Sequence, residues 1–447
     1  MKIRKAEGLD DVYNAFNSKP IEKEQLAEFY MKTAQARSGN PRNRLARLLR
    51  KTPDTNEHFL FVGYRGCGKS TELNHLQKDL ENDFLVINFS VQQELDPVNL
   101  NYIELFIVTM ERLFHFAHEL QLPISKQYLK NIQTWITSKE IQEISDNYMG
   151  AEASVGAKAE IGIPAILQFF TSFKASAKSS RQLKEVLKQN VEPKLSVLIG
   201  HCNDLIREIK LKLDTLGKKD LLIILEDLDK IPLDRANKLF INYTSQLTQL
   251  ETNVIYTFPI ALYYSTYFND IKAYFAQPSF ELPMIKVSNK DGSDNEEGIA
   301  TMRRIVAARV NIANVFEDEV LLRKMILKSG GVLRDLFMLI NEAANQALDF
   351  EREKINEKDY TAAYHQLKRE YDNNLSFRDE GDKHYKPEDY YEALIKLYND
   401  TEKKPDNSVE VMHLRQNLCI LGYNGEGWCN LHPLILDALK DRKLIPA

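Results

Sequence analysis

Phe59-Leu60-Phe61-Val62-Gly63-Tyr64-Arg65-Gly66-Cys67-Gly68-Lys69-Ser70-Thr71 is the stretch on which the reading of this chain turns. Its first four residues are apolar enough for a buried strand. The next eight fit G-x-x-x-x-G-K-S, and Glu72-Leu73-Asn74-His75-Leu76 opens a helix. Gly63, Gly66 and Gly68 keep Cβ atoms away from a ligand. Their N–H groups, with those of the first helical turn, make a concave donor surface for phosphate oxygens. Lys69 is expected to reach the β- and γ-phosphates and the Ser70 hydroxyl to ligate Mg²⁺. Arg65, Cys67 and Thr71 complete the segment expected to hold the nucleotide. A bulky adduct on Cys67 would then block the cradle.

The 447 residues suffice for two to four domains, and 43% hydrophobic with 28% charged residues is ordinary for a globular protein. A net charge of −5 gives no global attraction to nucleic acid or acidic membranes, so any such contact needs a local patch. The basic start, Met1 to Glu7, has no apolar run behind it and does not read as a signal peptide. Cys67, Cys202, Cys419 and Cys429 form no C-x-x-C pair, which fits a reducing cytoplasm without a zinc site or a disulfide framework.

Residues 1–52 read as an N-terminal helical segment, with Leu26, Phe29, Tyr30 and Met31 at helical spacing in 21–33. After Pro41, the run Arg42-Asn43-Arg44-Leu45-Ala46-Arg47-Leu48-Leu49-Arg50-Lys51 predicts a helix with a leucine stripe and a basic face. That face suits a phosphate or a partner, or equally a solvated side of a helix packed on the nucleotide unit. Residues 84–89 predict a second buried strand. Leu221-Leu222-Ile223-Ile224-Leu225 predicts a third, running into Glu226-Asp227-Leu228-Asp229-Lys230. One acid at such a strand end holds the metal while its neighbour orients or deprotonates the attacking water. Ser70, Glu226 and Asp227 are therefore the candidate Mg²⁺ ligands, although acids after a strand also cap helices.

Residues 97–217 read as a large helical insertion. It holds an amphipathic helix at 101–120, a hairpin pattern at 149–163, an apolar run at 164–173 too short for a bilayer, and a helical pattern at 181–213 broken by Pro193. Asn253-Val254-Ile255-Tyr256-Thr257-Phe258-Pro259 predicts another strand, whose Thr257 hydroxyl is placed to sense a γ-phosphate. Residues 279–287 predict the last strand and 297–367 read as helix, with Arg303, Arg304 and Arg309 on one segment. Ser329-Gly330-Gly331 marks a helix junction that puts Arg334 in the next first turn, aimed at a phosphate or else at solvent. In the last part, 385–447, two helical stretches precede a hairpin built on Asn424-Gly425, the pattern of a winged helix. Arg415 is the one basic residue of 408–418 apart from His413, which favours protein contact over DNA reading.

In the segments 63–71, 221–229, 253–257 and 330–336 and in the C-terminal hairpin, the chain resembles AAA+-type ATPases. The branch is the one that includes bacterial signal-transducing STAND ATPases and origin-recognition initiators. The resemblance implies an α/β P-loop NTPase with a parallel sheet core at 53–290, a helical lid at 291–375 and a winged-helix domain at 385–447. It implies ATP and Mg²⁺ as cofactors, Lys69 and Ser70 at phosphate and metal, and Glu226 and Asp227 as the Walker B pair. Thr257 would be sensor 1 and Arg334 sensor 2. Two features depart from the family pattern. The acids run Glu-then-Asp, and 265–278, where an arginine finger is expected, holds no arginine. Such a finger contributes roughly 10³–10⁵ in rate, so slow hydrolysis is expected.

Three functions follow. The first is a STAND-like switch ATPase whose ATP state is read by an effector protein or by self-association, a role the resemblance ties to anti-phage defence. The second is a DNA-binding initiator or loader that uses the winged helix and the 42–51 helix. The third is a scaffold that binds nucleotide without hydrolysing it.

Overall fold

The computed structural model describes residues 2–149, 162–180, 182–184, 186, 195–380, 383–423 and 427–446. At its centre lie five parallel strands: β1 (His58–Gly63), β2 (Phe84–Ser90), β3 (Asp220–Glu226), β4 (Asn253–Phe258) and β5 (Phe280–Leu282). Their spatial order is β2-β3-β4-β1-β5. Every residue of β1, β3 and β4 is buried, as expected of continuous apolar runs in a sheet covered on both faces. Register decides what the C-terminal edge presents. Phe61 pairs with Thr257, Leu225 with Tyr256, and Ser90 with Glu226. The phosphate loop after β1, the acids after β3 and Thr257 on β4 therefore share one edge of the sheet, with β4 between the other two.

Helices of eight residues or more are numbered along the chain. α1 (Pro41–Lys51) is capped by Asn40, whose side chain accepts from the Asn43 N–H, with Pro41 in the first turn. One side of it is tied to α2 (Lys69–Leu80) and the turn after it, while Arg44, Arg47 and Lys51 stay exposed. Arg42 pairs with Glu72 and Asp79, and Arg50 with Asp83 at 3.0 Å. The expected helix at 21–33 is not formed as one piece. A short turn at Lys23–Gln25 and a four-residue helix at Leu26–Phe29 give way to extended chain. The reason lies in tertiary bonds to α2: the Ile21 N–H donates to Thr71 Oγ1, and Asn74 donates to the Ile21 carbonyl.

In the insertion, α3 (Tyr102–Glu119) opens with a reciprocal capping box between Asn101 and Glu104. It packs with α4 (Lys126–Ile136), α5 (Lys139–Tyr148), α6 (Ile163–Ser179) and α7 (Leu195–Lys210) around rings such as Phe114 and Phe170, 5.8 Å apart. The hairpin pattern at 149–163 and the break at Pro193 lie mostly outside the described residues. The strand expected at 279–287 is shorter, ending at Leu282. Beyond it come α8 (Glu296–Ala307), α9 (Glu319–Lys328), α10 (Leu333–Asp349) and α11 (Glu357–Asn373).

A small antiparallel pair, β6 (Arg378–Glu380) and β7 (Lys383–Tyr385), leads into α12 (Pro387–Asn399) and α13 (Val409–Gln416). Antiparallel β8 (Ile420–Tyr423) and β9 (Trp428–Leu431) form the expected hairpin, and α14 (Pro433–Asp441) follows. The Asn424-Gly425 turn itself lies outside the described residues. Among the described residues, no helix is long and apolar enough to cross a membrane.

Candidate nucleotide site

The loop between β1 and α2 takes left-handed backbone at Gly66 (φ +77°) and Gly68 (φ +101°), where a side chain would strain it. A Cβ on Gly66 would also lie 2.8 Å from the Cβ of Arg334, so α10 begins directly against the loop. Lys69 is folded back and buried. Its ammonium donates to the carbonyls of Gly63 at 2.9 Å and Tyr64 at 2.8 Å, and pairs with Asp229 at 2.8 Å. The Cys67 thiol is turned out of the cradle toward Gly63 and the Leu282 carbonyl, and is fully buried. This corrects the expectation that an adduct on Cys67 would fill the phosphate path. The Cys67 carbonyl accepts from Arg37 at 2.6 Å.

The two expected metal-side acids part company. Ser70 and Asn88 lie close enough to Glu226 to favour its charged form, and burial pushes its carboxyl up to about 7 against their pull. Asp227, at φ +68°, is held by other partners. It accepts from Ser90 at 2.5 Å and pairs with Lys230 at 2.6 Å. Among the described residues there is no cluster of three or more His, Cys, Asp or Glu able to hold a metal on its own. A nucleotide-linked Mg²⁺ asks for less, since it keeps several waters and takes its other ligands from phosphate. Ser70 beside Glu226 supplies two hard oxygen donors and fits that demand; Asp227 in its present pairing does not.

Thr257 is likewise committed. Its hydroxyl donates to the Leu225 carbonyl at 3.2 Å and accepts from the Leu228 N–H at 3.0 Å, so it stitches β4 to the turn carrying the acids. Arg65 donates to the Lys230 carbonyl at 3.0 Å and feels the charges of Asp229 and Arg334. Burial lowers the pKa of the Arg65 guanidinium, with Asp229 opposing and Arg334 adding to the effect.

A cavity opens in front of the loop. Gly66, Gly68, Lys69, Ser70, Thr71 and Arg334 are part of its lining. Phe29, Tyr30 and Met31 from the N-terminal segment and Ile305, Arg309 and Phe337 from the helices after the sheet line it as well. Phosphate donors together with rings suit a nucleotide. Of the three arginines on the segment after the sheet, Arg303 and Arg304 are paired on the surface with Glu319 and Glu297. Arg309 alone reaches the cavity, buried over the Phe337 ring at 4.6 Å.

Behind the loop, Tyr64 is fully buried, and its hydroxyl accepts from Arg415 of α13 at 2.8 Å. Gly422 of β8 packs so close that a Cβ there would lie 2.9 Å from the Tyr64 oxygen. The junction before α10 is held from the same side. Tyr423 donates to the Gly330 carbonyl at 2.9 Å, and His432 lies 3.1 Å from the carboxylate of Asp335. Sequence reasoning missed Asp229, Arg37, Ser90 and Arg415. Asp229 was visible as the third acid of the 226–229 run, whereas Arg37 and Arg415 carry no local signal.

No protein-family model and no curated protein matches the chain. Among solved structures it is similar to the Walker-type ATPase PABY2304 of Pyrococcus abyssi, at 12% identity and a TM-score of 0.41, covering 95% of this chain and 99% of that one. It is also similar to the ORC2 protein of Aeropyrum pernix, solved as ADPNP–ADP complexes, at 11% identity and a TM-score of 0.41, covering 96% and 98%. Cdc6p from Pyrobaculum aerophilum aligns at 11% identity with a TM-score of 0.40, covering 97% and 99%. The chain's own parallel sheet, with its glycine loop and acid-ended β3 at one edge, is an α/β P-loop NTPase fold.

Proposed function

We propose that the chain binds ATP with Mg²⁺ in the cradle of residues 63–71, hydrolyses it slowly, and uses the nucleotide state as a switch read through its C-terminal helix–hairpin unit. The observation that carries this is the two-sided loop. Its front presents Lys69 and Ser70 to acid-ended β3, and its back is bonded through Tyr64 to Arg415.

In this reading Lys69 takes the β- and γ-phosphates, Ser70 and Glu226 hold the metal, and Arg334 faces the γ-phosphate. Mg²⁺, when bound, supplies positive charge against the phosphate oxygens. Asp227 would orient the attacking water after leaving Lys230, and Thr257 holds the turn that carries both acids. The absence of arginine from 265–278 is consistent with slow turnover.

The winged-helix-like unit reads better as a protein-contact module than as a DNA reader. Helix α13 buries Val411 to Gln416 against the rest of the chain, Arg415 included, and so presents no free face to a groove. Arg42 of α1 is paired with Asp79 of α2 and Arg50 with Asp83 just beyond it, which leaves Arg44, Arg47 and Lys51 as the exposed basic residues of that helix. The reader of the ATP state would be a protein effector or a second copy of the chain.

The test is ATP binding, phosphate release and particle size for wild type, Lys69→Ala and Glu226→Gln, with and without duplex DNA. Binding lost in Lys69→Ala, turnover lost in Glu226→Gln and no response to DNA support the switch. DNA affinity falling steeply with salt favours a loader. Tight binding without phosphate release favours a scaffold.

A further inference from the structure

The geometry points to Asp229 as a latch on the phosphate-binding lysine: it holds Lys69 in the loop until a phosphate displaces it, and so sets the affinity for nucleotide. This rests on the proposal that residues 63–71 hold ATP. An ammonium has three N–H donors. In Lys69 two of them donate to the Gly63 and Tyr64 carbonyls, at 2.9 and 2.8 Å, and the ammonium is ion-paired with the Asp229 carboxylate at 2.8 Å. Its charge is thus already matched by Asp229.

The Lys69 and Asp229 side chains are 6% and 3% exposed, so the pair is formed where water screens it little. Both line the cavity in front of the loop, which places the carboxylate beside the path of an incoming anion. A triphosphate must therefore take Lys69 from Asp229 and tolerate a buried negative charge nearby.

The surroundings offer that charge somewhere to go. Arg65, in the loop itself, has a buried Nε with no hydrogen-bond partner and is electrostatically coupled to Asp229. Lys230 is coupled to Asp229 as well, although its ammonium is 2.6 Å from Asp227. Phosphate binding thus exchanges one partner of Asp229 for another: Lys69 leaves for the nucleotide and Arg65 turns toward the carboxylate. Asp229 acts through Lys69 and is a positioning residue.

The test is Asp229→Asn, which keeps the shape and removes the charge. Its ATP affinity is expected to rise about tenfold over wild type, because the free state loses the competing pair while the bound state had already given it up. A purely structural role would lower the affinity or leave it alone, and either result overturns the latch. The free variant will be less stable, since Lys69 and Arg65 lose a counter-ion, so the rise in melting temperature on adding saturating MgATP is measured as well. That rise is expected to exceed the wild-type rise; an equal or smaller one, or a variant that stays unfolded even with ATP, overturns the proposal. If wild type binds no nucleotide, and Lys69→Ala therefore changes nothing, the nucleotide reading has failed rather than the latch.

Discussion

Arg415 donates a 2.8 Å hydrogen bond to the hydroxyl of Tyr64, across 351 residues of chain, and both side chains are buried. The guanidinium also sits 4.0 Å over the ring of Tyr264, whose hydroxyl donates to Glu281 at 2.9 Å. The second residue of the phosphate loop is thereby part of the C-terminal unit's interior. A loop that shifts on binding phosphate pulls on this bond.

Tyr64→Phe removes the acceptor and leaves a buried charged donor. Stability is expected to fall by about 1–3 kcal/mol, the range for an orphaned buried group. Combining it with Arg415→Met, which removes the donor too, is expected to cost less than the sum of the single changes. A double-mutant cycle by urea denaturation measures this, and strict additivity counts against coupling. Limited proteolysis of the C-terminal unit, compared with and without ATP, reads the functional side: Tyr64→Phe should narrow that difference.

The approach at Gly331 gives a sharper structural expectation. Its φ is +83°, and a Cβ would lie 1.9 Å from the Ile285 carbonyl oxygen, which belongs to backbone and cannot swing away. Gly331→Ala is expected to cost about 3 kcal/mol or more, since strain and overlap add. Because Arg334 follows three residues later, ATP affinity should drop as well. Wild-type melting and wild-type affinity in this variant would show that the junction is not fixed as described.

The Cys67 thiol is turned under the loop and fully buried. It is expected to resist alkylation in the native protein and to react only on unfolding. Cys67→Ala should keep ATP affinity within about threefold, because the loop contributes backbone there and not sulfur. Mass spectrometry after a short iodoacetamide pulse checks the first point. Rapid native labelling that blocks ATP binding would restore the thiol to the cradle.

How far the residues announced this arrangement depends on the reach of each signal. The loop of 63–71 and the strands at 59–62 and 221–225 were legible because their chemistry is local: apolar runs buried on both faces, then glycines or acids. The junction at Gly330-Gly331 was legible for the same reason. The segment 21–33 misled, because its apolar spacing fits a helix while its backbone is claimed by Thr71 and Asn74 of α2. The acids were found but their roles were not, since Asp227 leaves the strand in a left-handed conformation that no local pattern announces. Ser90 and Lys230 take up Asp227, and Glu226 is the acid left near Ser70. Arg415 was noted only as a lone basic residue; its partner is 351 positions away, beyond any local pattern.

His58, the first residue of β1, supplies a pH dependence whose sign can be worked out. It is buried, the Leu250 backbone nearby opposes burial only in part, and its Nε2 has no hydrogen-bond partner. Burial lowers its pKa from 6.5 to about 4. Above pH 6.5 the ring is neutral in both folded and unfolded chains, so its contribution to stability is fully present. As pH falls below 6.5 the unfolded chain takes up a proton that the folded one refuses until about pH 4, and stability is lost across that window. The loss attributable to His58 between pH 7.5 and pH 5 is about 2 kcal/mol. His58→Asn cannot titrate there, so its stability deficit relative to wild type should shrink by about that amount over the same interval. Urea midpoints for both proteins at the two pH values measure the difference, and parallel pH profiles would mean that His58 is protonated within the fold.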